Sequence, residues 1–388
     1  MNITIHPGKL SGCMKAISSK SIANRYLICA AFSDGPTEII CPEVSRDIEA
    51  TADCLNALGA SVIRTETGYR ITPIQNIPKT AVLNCCESAS TLRFLLPVVG
   101  ALGVDATFLM EGRLPCRPVS PLWEEMERMG CTLTRPDENI IRCKGKLKAG
   151  TYYIDGSISS QFVTGLLFAT SLIEGVCDLK VTGKIESAPY IDMTKAAMNL
   201  FSAPDYHTPG LIEVEGDWSD SAFFLSANAL GNQIDVTNLN AASSQGDRAI
   251  CGILPALEEH LHIDAADIPD LVPILAVVAA AKKGATFTNI QRLRLKESDR
   301  VASVAEMIQA LGGTAQATDS TLTVYGTGLS GGTVNSYHDH RIAMSAAIAA
   351  TVCSKPVTIM QAEAVKKSYP AFWEEYQKLG GSYEQHLR

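Results

Sequence analysis

The stretch R-L-R-L-K-E-S-D-R, from Arg292 to Arg300, has the residue types best suited to chemistry in this chain. It is crowded with charge, although only 19% of all residues are charged. It follows an apolar run, Leu271 to Ala281, and leads into a helical pattern, and loops at such junctions commonly carry function. Its four cations and two carboxylates can hold an anionic ligand and also move protons. A solvated charged turn is the alternative interpretation of this stretch taken alone.

Further cations and hydroxyls occur where apolar helices are predicted to begin. A helix N-terminus presents free N–H groups and a partial positive charge, so it suits anions. A serine there is usually only an N-cap, but an acidic protein that repeats Lys or Arg at equivalent points indicates a ligand with several anionic groups. The residues concerned are Lys20, Ser21 and Arg25 in K-S-x-x-x-R, Ser90 and Arg93, Arg113 and Arg117, Ser159, Ser160 and Gln161, Arg341 after His340, and Lys366 and Lys367.

Composition excludes several classes of protein. The 388-residue chain has a net charge of −8 and a pI near 5.5, which disfavours a nucleic-acid surface. The longest apolar runs are too short to span a bilayer and the start lacks a signal-peptide pattern, so we expect a cytoplasmic protein. The twelve cysteines form no C-x-x-C pair, and neither dinucleotide nor P-loop signatures occur. Metal-free, cofactor-free acid–base chemistry on a small polyanion remains.

The elements that position these residues follow a repeat. Six apolar helices are predicted to open near Ser21, Ser90, Ser159, Ser219, Asp270 and His340. Each is followed by an amphipathic helix: Asp47 to Leu58, Pro121 to Met129, Ile191 to Phe201, Asp247 to Leu257, Ser298 to Leu311 and Pro370 to Leu379. Several of these end on glycine, the expected helix stop, and short alternating segments between them read as strands.

The repeat predicts six units of about 70 residues, with the third and fourth shortened by the loss of a strand or hairpin. We expect compact subdomains, three in each of two globular halves, rather than an open array. The hinges are expected near Met14 to Ser19 and Glu213 to Asp217. One domain would comprise residues 1–17 and 216–388, and the other residues 18–215.

The motifs, in their order along the whole chain, resemble the EPSP synthase (3-phosphoshikimate 1-carboxyvinyltransferase) family of enolpyruvyl transferases. The matching pieces are K-S-I-A-N-R (20–25), E-S-A-S-T-L-R-F (87–94), R-L-P-C-R-P (113–118), G-S-I-S-S-Q-F (156–162), S-A-P-Y-I-D (187–192), I-P-D (268–270), R-L-R-L-K-E-S-D-R (292–300), H-D-H-R-I-A-M (338–344) and K-S-Y-P (367–370). The resemblance implies an α+β fold of two domains, each an inside-out barrel of three βαβαββ-like units. It also implies transfer of the enolpyruvyl group of phosphoenolpyruvate to the 5-hydroxyl of shikimate 3-phosphate, through a tetrahedral adduct.

The resemblance assigns residues to each substrate. Those implied for shikimate 3-phosphate are Lys20, Ser21, Arg25, Ser159, Ser160, Gln161, Ser187, Tyr190, Asp270 and Lys296. Those implied for phosphoenolpyruvate are Lys20, Ala89, Ser90, Arg93, Arg117, Gln161, Arg300, Arg341 and Lys367. Asp270 would take the hydroxyl proton and Glu297 would exchange protons with the methylene carbon, with Lys20 as a further proton-transfer candidate. The expected partners are these small molecules alone, without nucleic acid or membrane, and the expected assembly is a monomer.

Departures from the family pattern leave alternatives open. Ala89 stands where many members have glycine, which implies tolerance of the herbicide glyphosate in the phosphoenolpyruvate pocket, and Arg292 stands where some have asparagine. Cys116 keeps the sister enzyme that acts on UDP-N-acetylglucosamine in view, although K-S-x-x-x-R and S-S-Q favour a small phosphorylated acid. A catalytically silent phosphosugar-binding paralogue is the alternative of a different class.

Overall fold

The computed structural model describes residues 1–386 and divides the chain into two units, residues 1–17 with 216–388 and residues 18–215. The strands are β1 (Asn2–Ile5), β2 (Ser11–Lys15), β3 (Thr37–Ile40), β4 (Ser61–Arg64), β5 (Gly68–Thr72), β6 (Thr80–Asn84), β7 (Asp105–Leu109), β8 (Cys131–Asp137), β9 (Ile140–Gly145), β10 (Gly150–Asp155), β11 (Cys177–Thr182), β12 (Leu211–Glu213), β13 (Gln233–Thr237), β14 (Leu261–Asp264), β15 (Gly284–Thr288), β16 (Thr314–Ala317), β17 (Thr321–Tyr325), β18 (Gly332–Asn335), β19 (Val357–Met360) and β20 (Tyr383–His386). The α-helices are α1 (Lys20–Ala31), α2 (Arg46–Ala57), α3 (Ala89–Leu102), α4 (Leu122–Arg128), α5 (Ser160–Ser171), α6 (Ala188–Leu200), α7 (Trp218–Ala229), α8 (Ile250–Ala256), α9 (Val272–Ala281), α10 (Arg300–Ala310), α11 (His340–Ala349) and α12 (Phe372–Lys378).

The unit of residues 18–215 has three small sheets around helices that are apolar on nearly every side. Its sheets have the orders β12-β3-β5-β4, β6-β7-β9-β8 and β10-β11. Helices α3 and α5 pack closely at Gly165, where an added Cβ would lie 2.2 Å from the carbonyl oxygen of Arg93. A helix buried on all sides needs no polar face, which explains why the apolar runs lack amphipathic periodicity.

The unit of residues 1–17 and 216–388 repeats this construction with sheets β13-β2, β14-β15-β17-β16 and β18-β19-β1-β20. Its central helices α7, α9 and α11 contact one another, and every residue of α9 from Val272 to Ala280 is buried. The N-terminal strands β1 and β2 complete two of its sheets. The first residues of the chain therefore belong structurally with its second half.

The mixed α and β fold with two shortened units is confirmed, because the third and fourth sheets have two strands each where the other four have four. The predicted helix stops are also found, since Gly59 and Gly312 follow α2 and α10 with φ of 101° and 84°. Only glycine adopts such angles without strain.

Some predicted helix starts are wrong in detail. Asp270 does not cap α9, whose N-cap is Leu271, and Ser90 lies inside α3, which is capped by the side chain of Ser88. The predicted helix from Asp247 to Leu257 is a 3-10 turn at 246–249 followed by the short helix α8. Pro255 lies within α8, and its missing N–H weakens a regular helix there.

Candidate active site

In the unit of residues 1–17 and 216–388, helix termini bring the predicted acids and cations together around Arg300. Arg300 is the first residue of α10, and its guanidinium donates to Asp270 Oδ1 at 2.6 Å and to Glu297 Oε2 at 2.7 Å. Asp270 lies just before α9, and Glu297 follows the 3-10 turn at 291–295. The two candidate proton-transfer carboxylates therefore share one cation, although they are 27 residues apart in the sequence.

Three more predicted cations surround the same carboxylates. Lys296 Nζ lies 3.3 Å from Asp270 Oδ1, Arg341 Nη2 lies 3.6 Å from Asp270 Oδ2, and Lys367 Nζ lies 3.7 Å from Glu297 Oε1. These side chains are between 6% and 18% exposed. Coulombic interactions between such shielded groups are far stronger than in bulk water.

This charge cluster shifts the pKa of its members. Burial disfavours the ionised form of Asp270, but Arg341, Lys296 and Arg300 outweigh it and hold its pKa well below the usual range. Burial lowers the pKa of Lys296 to about 8, even though Asp270 opposes that change. Asp270 is therefore held as a carboxylate, and Lys296 is a cation that can lose its proton in mildly alkaline solution.

Asp339 belongs to this cluster, although the sequence predicted only that it opens the last apolar helix and gave it no role. It is fully buried, its Oδ2 accepts from Arg300 Nε at 2.8 Å and from Ser298 Oγ at 3.0 Å, and its Oδ1 caps α11 at the Arg341 N–H. It thus orients two predicted substrate-binding arginines. Its place in D-H-R at a helix start was the available signal, since aspartate there is a preferred N-cap.

In the unit of residues 18–215, Arg25 is held inside the core rather than in solvent. Its guanidinium donates to Thr194 Oγ1 at 2.9 Å, to the Ser21 carbonyl at 2.6 Å and to the Tyr190 carbonyl at 2.8 Å. Burial lowers its pKa to about 10. Ser187, which precedes α6, is buried with a left-handed φ of 56°, so the turn into that helix is fixed in an uncommon conformation.

Lys20, the first residue of α1, is partly buried beside an aspartate that the sequence did not point to. Its Nζ lies 3.0 Å from Asp47 Oδ2, at the start of α2, and the two side chains are 18% and 8% exposed. A buried carboxylate keeps this ammonium oriented, as Asp339 does for Arg300.

Arg93 contacts two other predicted residues of the same unit. Its Nη1 donates to Gln161 Oε1 at 2.9 Å and lies 3.4 Å from Ser159 Oγ, and its Nη2 donates to the Pro118 carbonyl at 2.6 Å. Ser159 caps α5 at the Gln161 N–H, so this arginine lies at a helix N-terminus. That is the arrangement expected of an anion site.

The remaining predicted residues of this unit lie at or near helix starts. Ala89 is the first residue of α3 and is 5% exposed, and Ser90 Oγ lies 3.1 Å from the capping hydroxyl of Ser88. Ser160 opens α5, and Arg117, half-buried, ends a 3-10 turn. The neighbouring Cys116 is an exposed free thiol.

Two observations bear on other kinds of site. Within residues 1–386 there is no group of three or more His, Cys, Asp or Glu side chains that could hold a metal ion. In the same residues, no helix is both long and apolar enough to cross a membrane.

The chain is similar to known proteins over nearly its whole length. The family model described as "EPSP synthase (3-phosphoshikimate 1-carboxyvinyltransferase)" matches residues 5–260 and 256–376. A 3-phosphoshikimate 1-carboxyvinyltransferase of Clostridium kluyveri is 36% identical over 99% of this chain and 98% of its own length, and one of Clostridium perfringens is 37% identical over 98% of each. The solved EPSP synthase of Acinetobacter baumannii has a TM-score of 0.80 at 21% identity and covers 99% of this chain and 100% of its own.

The fold is that of the enolpyruvyl transferases of the EPSP synthase type, with two units of repeated subdomains. The family match over nearly the whole chain is decisive: this chain belongs to the EPSP synthase family. Its enzyme class is that of the 3-phosphoshikimate 1-carboxyvinyltransferases, which are transferases.

Proposed function

We propose that this chain transfers the enolpyruvyl group of phosphoenolpyruvate to the 5-hydroxyl of shikimate 3-phosphate, releasing phosphate, as a step of the shikimate pathway. The single observation that carries the assignment of roles is the sharing of Arg300 by Asp270 and Glu297. A carboxylate that is ionised at neutral pH is in the protonation state that a general base requires. Asp270 would take that proton as the 5-hydroxyl oxygen attacks C2 of phosphoenolpyruvate.

Glu297 is the proposed proton carrier for the methylene carbon. Protonation of C3 as the new C–O bond forms gives a tetrahedral adduct, and removal of a proton from the resulting methyl group then expels phosphate and regenerates the double bond. Glu297 touches both Arg300 and Lys367, which stabilise its carboxylate form. Lys20 is a further candidate for moving a proton, and its contact with Asp47 orients it.

The proposed substrate-binding residues form two sets, one for each substrate, and Lys20 and Gln161 belong to both. Shikimate 3-phosphate would be bound by Lys20, Ser21, Arg25, Ser159, Ser160, Gln161, Ser187, Tyr190, Asp270 and Lys296. Phosphoenolpyruvate would be bound by Lys20, Ala89, Ser90, Arg93, Arg117, Gln161, Arg300, Arg341 and Lys367. The buried guanidinium groups among them support this assignment, because planar arginine forks bind carboxylates and phosphates in pairs of hydrogen bonds.

The compartment we propose is the cytoplasm. All twelve cysteines are free thiols, and thiols persist in a reducing compartment.

A phosphate-release assay tests the proposed function. With shikimate 3-phosphate and phosphoenolpyruvate the purified protein should release phosphate continuously, whereas UDP-N-acetylglucosamine in place of the shikimate phosphate should give only background. Release with the nucleotide sugar alone would assign the sister activity. Binding of shikimate 3-phosphate without any turnover would indicate a silent binding protein.

A further inference from the structure

The two-stranded sheet β10-β11 has one edge that the fold leaves open. The N–H of Gly156, which follows β10, donates to the carbonyl of Thr182 at 2.9 Å. In a parallel pair the backbone groups of alternate residues point to the same neighbour, so those of Asp178, Lys180 and Thr182 face β10. The N–H and C=O groups of Cys177, Leu179 and Val181 therefore point away from the sheet.

The corresponding edge in the other shortened sheet is blocked at its first outward residue by a side chain. Asn228 of α7 donates to the Ile234 carbonyl of β13 at 2.7 Å and accepts from the Ile234 N–H at 2.8 Å. Asn56 of α2 closes the edge of β4 at Val62 in the same way, with distances of 3.2 Å and 2.7 Å. Closing sheet edges is a common protection against pairing with other chains.

The opposite edge of the β10-β11 sheet is closed as well. Glu125 of α4 accepts from the Tyr153 N–H, and Arg128 donates to the Thr151 carbonyl at 2.7 Å. Across residues 1–386, by contrast, we find no side chain or strand that bonds to the outward groups of Cys177, Leu179 or Val181.

The open edge also leaves apolar side chains uncovered. Leu179 and Val181 are only half-buried, whereas Ala106 and Phe108 on the equivalent strand β7, which β9 covers, are fully buried. Val176, directly before β11, is 88% exposed, and Ile185, after it, is 42% exposed. The missing hairpin of this unit would have covered this strip.

We propose that a second copy of this chain pairs with β11 along this edge, in antiparallel orientation, to give a continuous sheet β10-β11-β11-β10 in a homodimer. Residues whose N–H and C=O groups point out of the sheet must lie opposite each other in the two copies. Side chains on one face of the sheet must also remain on that face in the partner. Both conditions are met when Leu179 lies opposite Leu179 of the partner subunit. Cys177 then exchanges hydrogen bonds with the partner's Val181.

Charge selects this register over its neighbours. Asp178 then lies opposite the partner's Lys180, and Lys180 lies opposite the partner's Asp178, at positions where cross-strand side chains approach most closely. The other registers that satisfy both conditions slide one strand by two residues. A slide in one direction places Asp178 opposite the partner's Asp178, and a slide in the other places Lys180 opposite the partner's Lys180. Like charges directly opposite each other are destabilising. The strand is therefore self-complementary in one register, and the proposal replaces the monomer expected from the family resemblance.

Sedimentation of the full-length protein from micromolar to millimolar concentration at low ionic strength tests the proposal. Wild type should associate reversibly to a dimer, and Lys180→Asp should weaken that association by about tenfold or more because both cross-strand pairs become repulsive. Asp178→Lys should do the same. An equimolar mixture of the two single variants should recover a heterodimer. The two lysines of one variant then lie opposite the two aspartates of the other.

Asp235→Lys provides the matched control, because Asp235 is an exposed residue of β13, whose edge Asn228 closes. That variant should associate as wild type does. A wild type that stays monomeric at millimolar concentration would overturn the proposal, as would a dimer that neither single reversal weakens. Phosphate release should be unchanged in all these variants, so this test is independent of the proposed function.

Discussion

At the scale of single residues, Arg300 shows how a buried positive charge is compensated by neighbouring carboxylates. It is 1% exposed and touches Asp270, Glu297 and Asp339. A buried ion pair gains little over a well-packed apolar pair, but removing one partner leaves an uncompensated charge and is strongly destabilising. The cluster therefore favours a fixed arrangement of charges over maximal stability, which is what binding a small polyanion requires.

Amide substitutions at the two carboxylates test their proposed roles. Asp270→Asn and Glu297→Gln should each lower turnover by about 10²-fold or more while leaving substrate binding within an order of magnitude, because an amide keeps the shape but cannot carry the proton. Steady-state kinetics with both substrates gives kcat and KM separately. Asp264→Asn, at an exposed position at the end of β14, is a control that should keep wild-type turnover. Near-normal turnover in both amide variants would remove these residues from proton transfer.

Lys296 should give the activity an alkaline limit. Its pKa of about 8 means that raising the pH through 8 removes a positive charge that we assign to the phosphate of shikimate 3-phosphate. Above that pH, kcat/KM for shikimate 3-phosphate should fall about tenfold per pH unit, since this ratio reports ionisation of the free enzyme. Lys296→Arg should move the fall to higher pH, because a guanidinium stays charged. An unchanged profile in that variant would exclude Lys296 as the titrating group.

Ala89 should make the enzyme tolerant of glyphosate, which is longer than the phosphoenolpyruvate that it displaces in this family. A buried methyl group at the start of α3 should overpack that longer ligand at a cost of about 1 to 3 kcal/mol, or roughly 5- to 150-fold in affinity. Ala89→Gly should restore sensitivity in inhibition curves at fixed phosphoenolpyruvate. Ala101→Gly, the same change near the other end of α3, should leave inhibition unaltered. Equal sensitivity of wild type and Ala89→Gly would contradict the steric explanation.

At the scale of elements, the buried helices of each unit serve as rigid supports for the residues at their first turns. Helix α3 carries Ala89, Ser90 and Arg93, and α5 begins with Ser160 and Gln161. The two helices meet at Gly165, and their spacing decides whether Arg93 reaches Gln161. Sites built on such helices are positioned more accurately than sites on loops.

Gly165→Ala should disturb that spacing. The added Cβ would lie 2.2 Å from the Arg93 carbonyl oxygen and 2.8 Å from Pro97 Cγ, so the helices must separate, at a cost of about 1 to 3 kcal/mol or more in the free energy of unfolding. Turnover should fall as well, because Arg93 moves. Gly252→Ala in α8 is the control: nothing lies within 4 Å of its added Cβ, and alanine there should stabilise by about 0.5 to 1 kcal/mol. Urea unfolding of both variants measures the difference.

At the scale of the whole molecule, each unit has a hydrophobic core of its own. One core draws on residues 3–17 and 218–379, and the other on residues 22–214. The second is built from one continuous stretch of chain. A segment can fold independently when its hydrophobic core is formed entirely by its own residues.

Residues 18–215, expressed alone, should therefore fold. We expect one cooperative thermal transition by circular dichroism and a dispersed amide proton spectrum, with no phosphate release, because Asp270 and Glu297 are absent. Residues 216–388 alone are the matched comparison and should fold poorly, since they lack β1 and β2, which complete two of their sheets. A non-cooperative melt of residues 18–215 would show that the two units depend on each other for stability.

The sequence by itself determined the elements, the six-unit repeat and the residues that carry chemistry. Local patterns decide these features: a long apolar run predicts a buried helix, glycine predicts its end, and K-S-x-x-x-R or K-E-S-D-R places charge beside it. The shortening of two units could also be predicted, because chain length between helices limits how many strands fit. Family motifs in order then indicated the reaction.

Only the tertiary structure decided which side chains meet. The pairs Lys20–Asp47, Arg300–Asp339 and Arg25–Thr194 join residues 27, 39 and 169 positions apart, and no local pattern encodes such contacts. The same holds for sheet edges: Asn228 closes β13, whereas the outward groups of β11 stay open, and this depends on which helix packs beside which strand. The physical reason is that periodicity reports one segment's preference for burial, while the partner that buries it is chosen by packing across the whole unit.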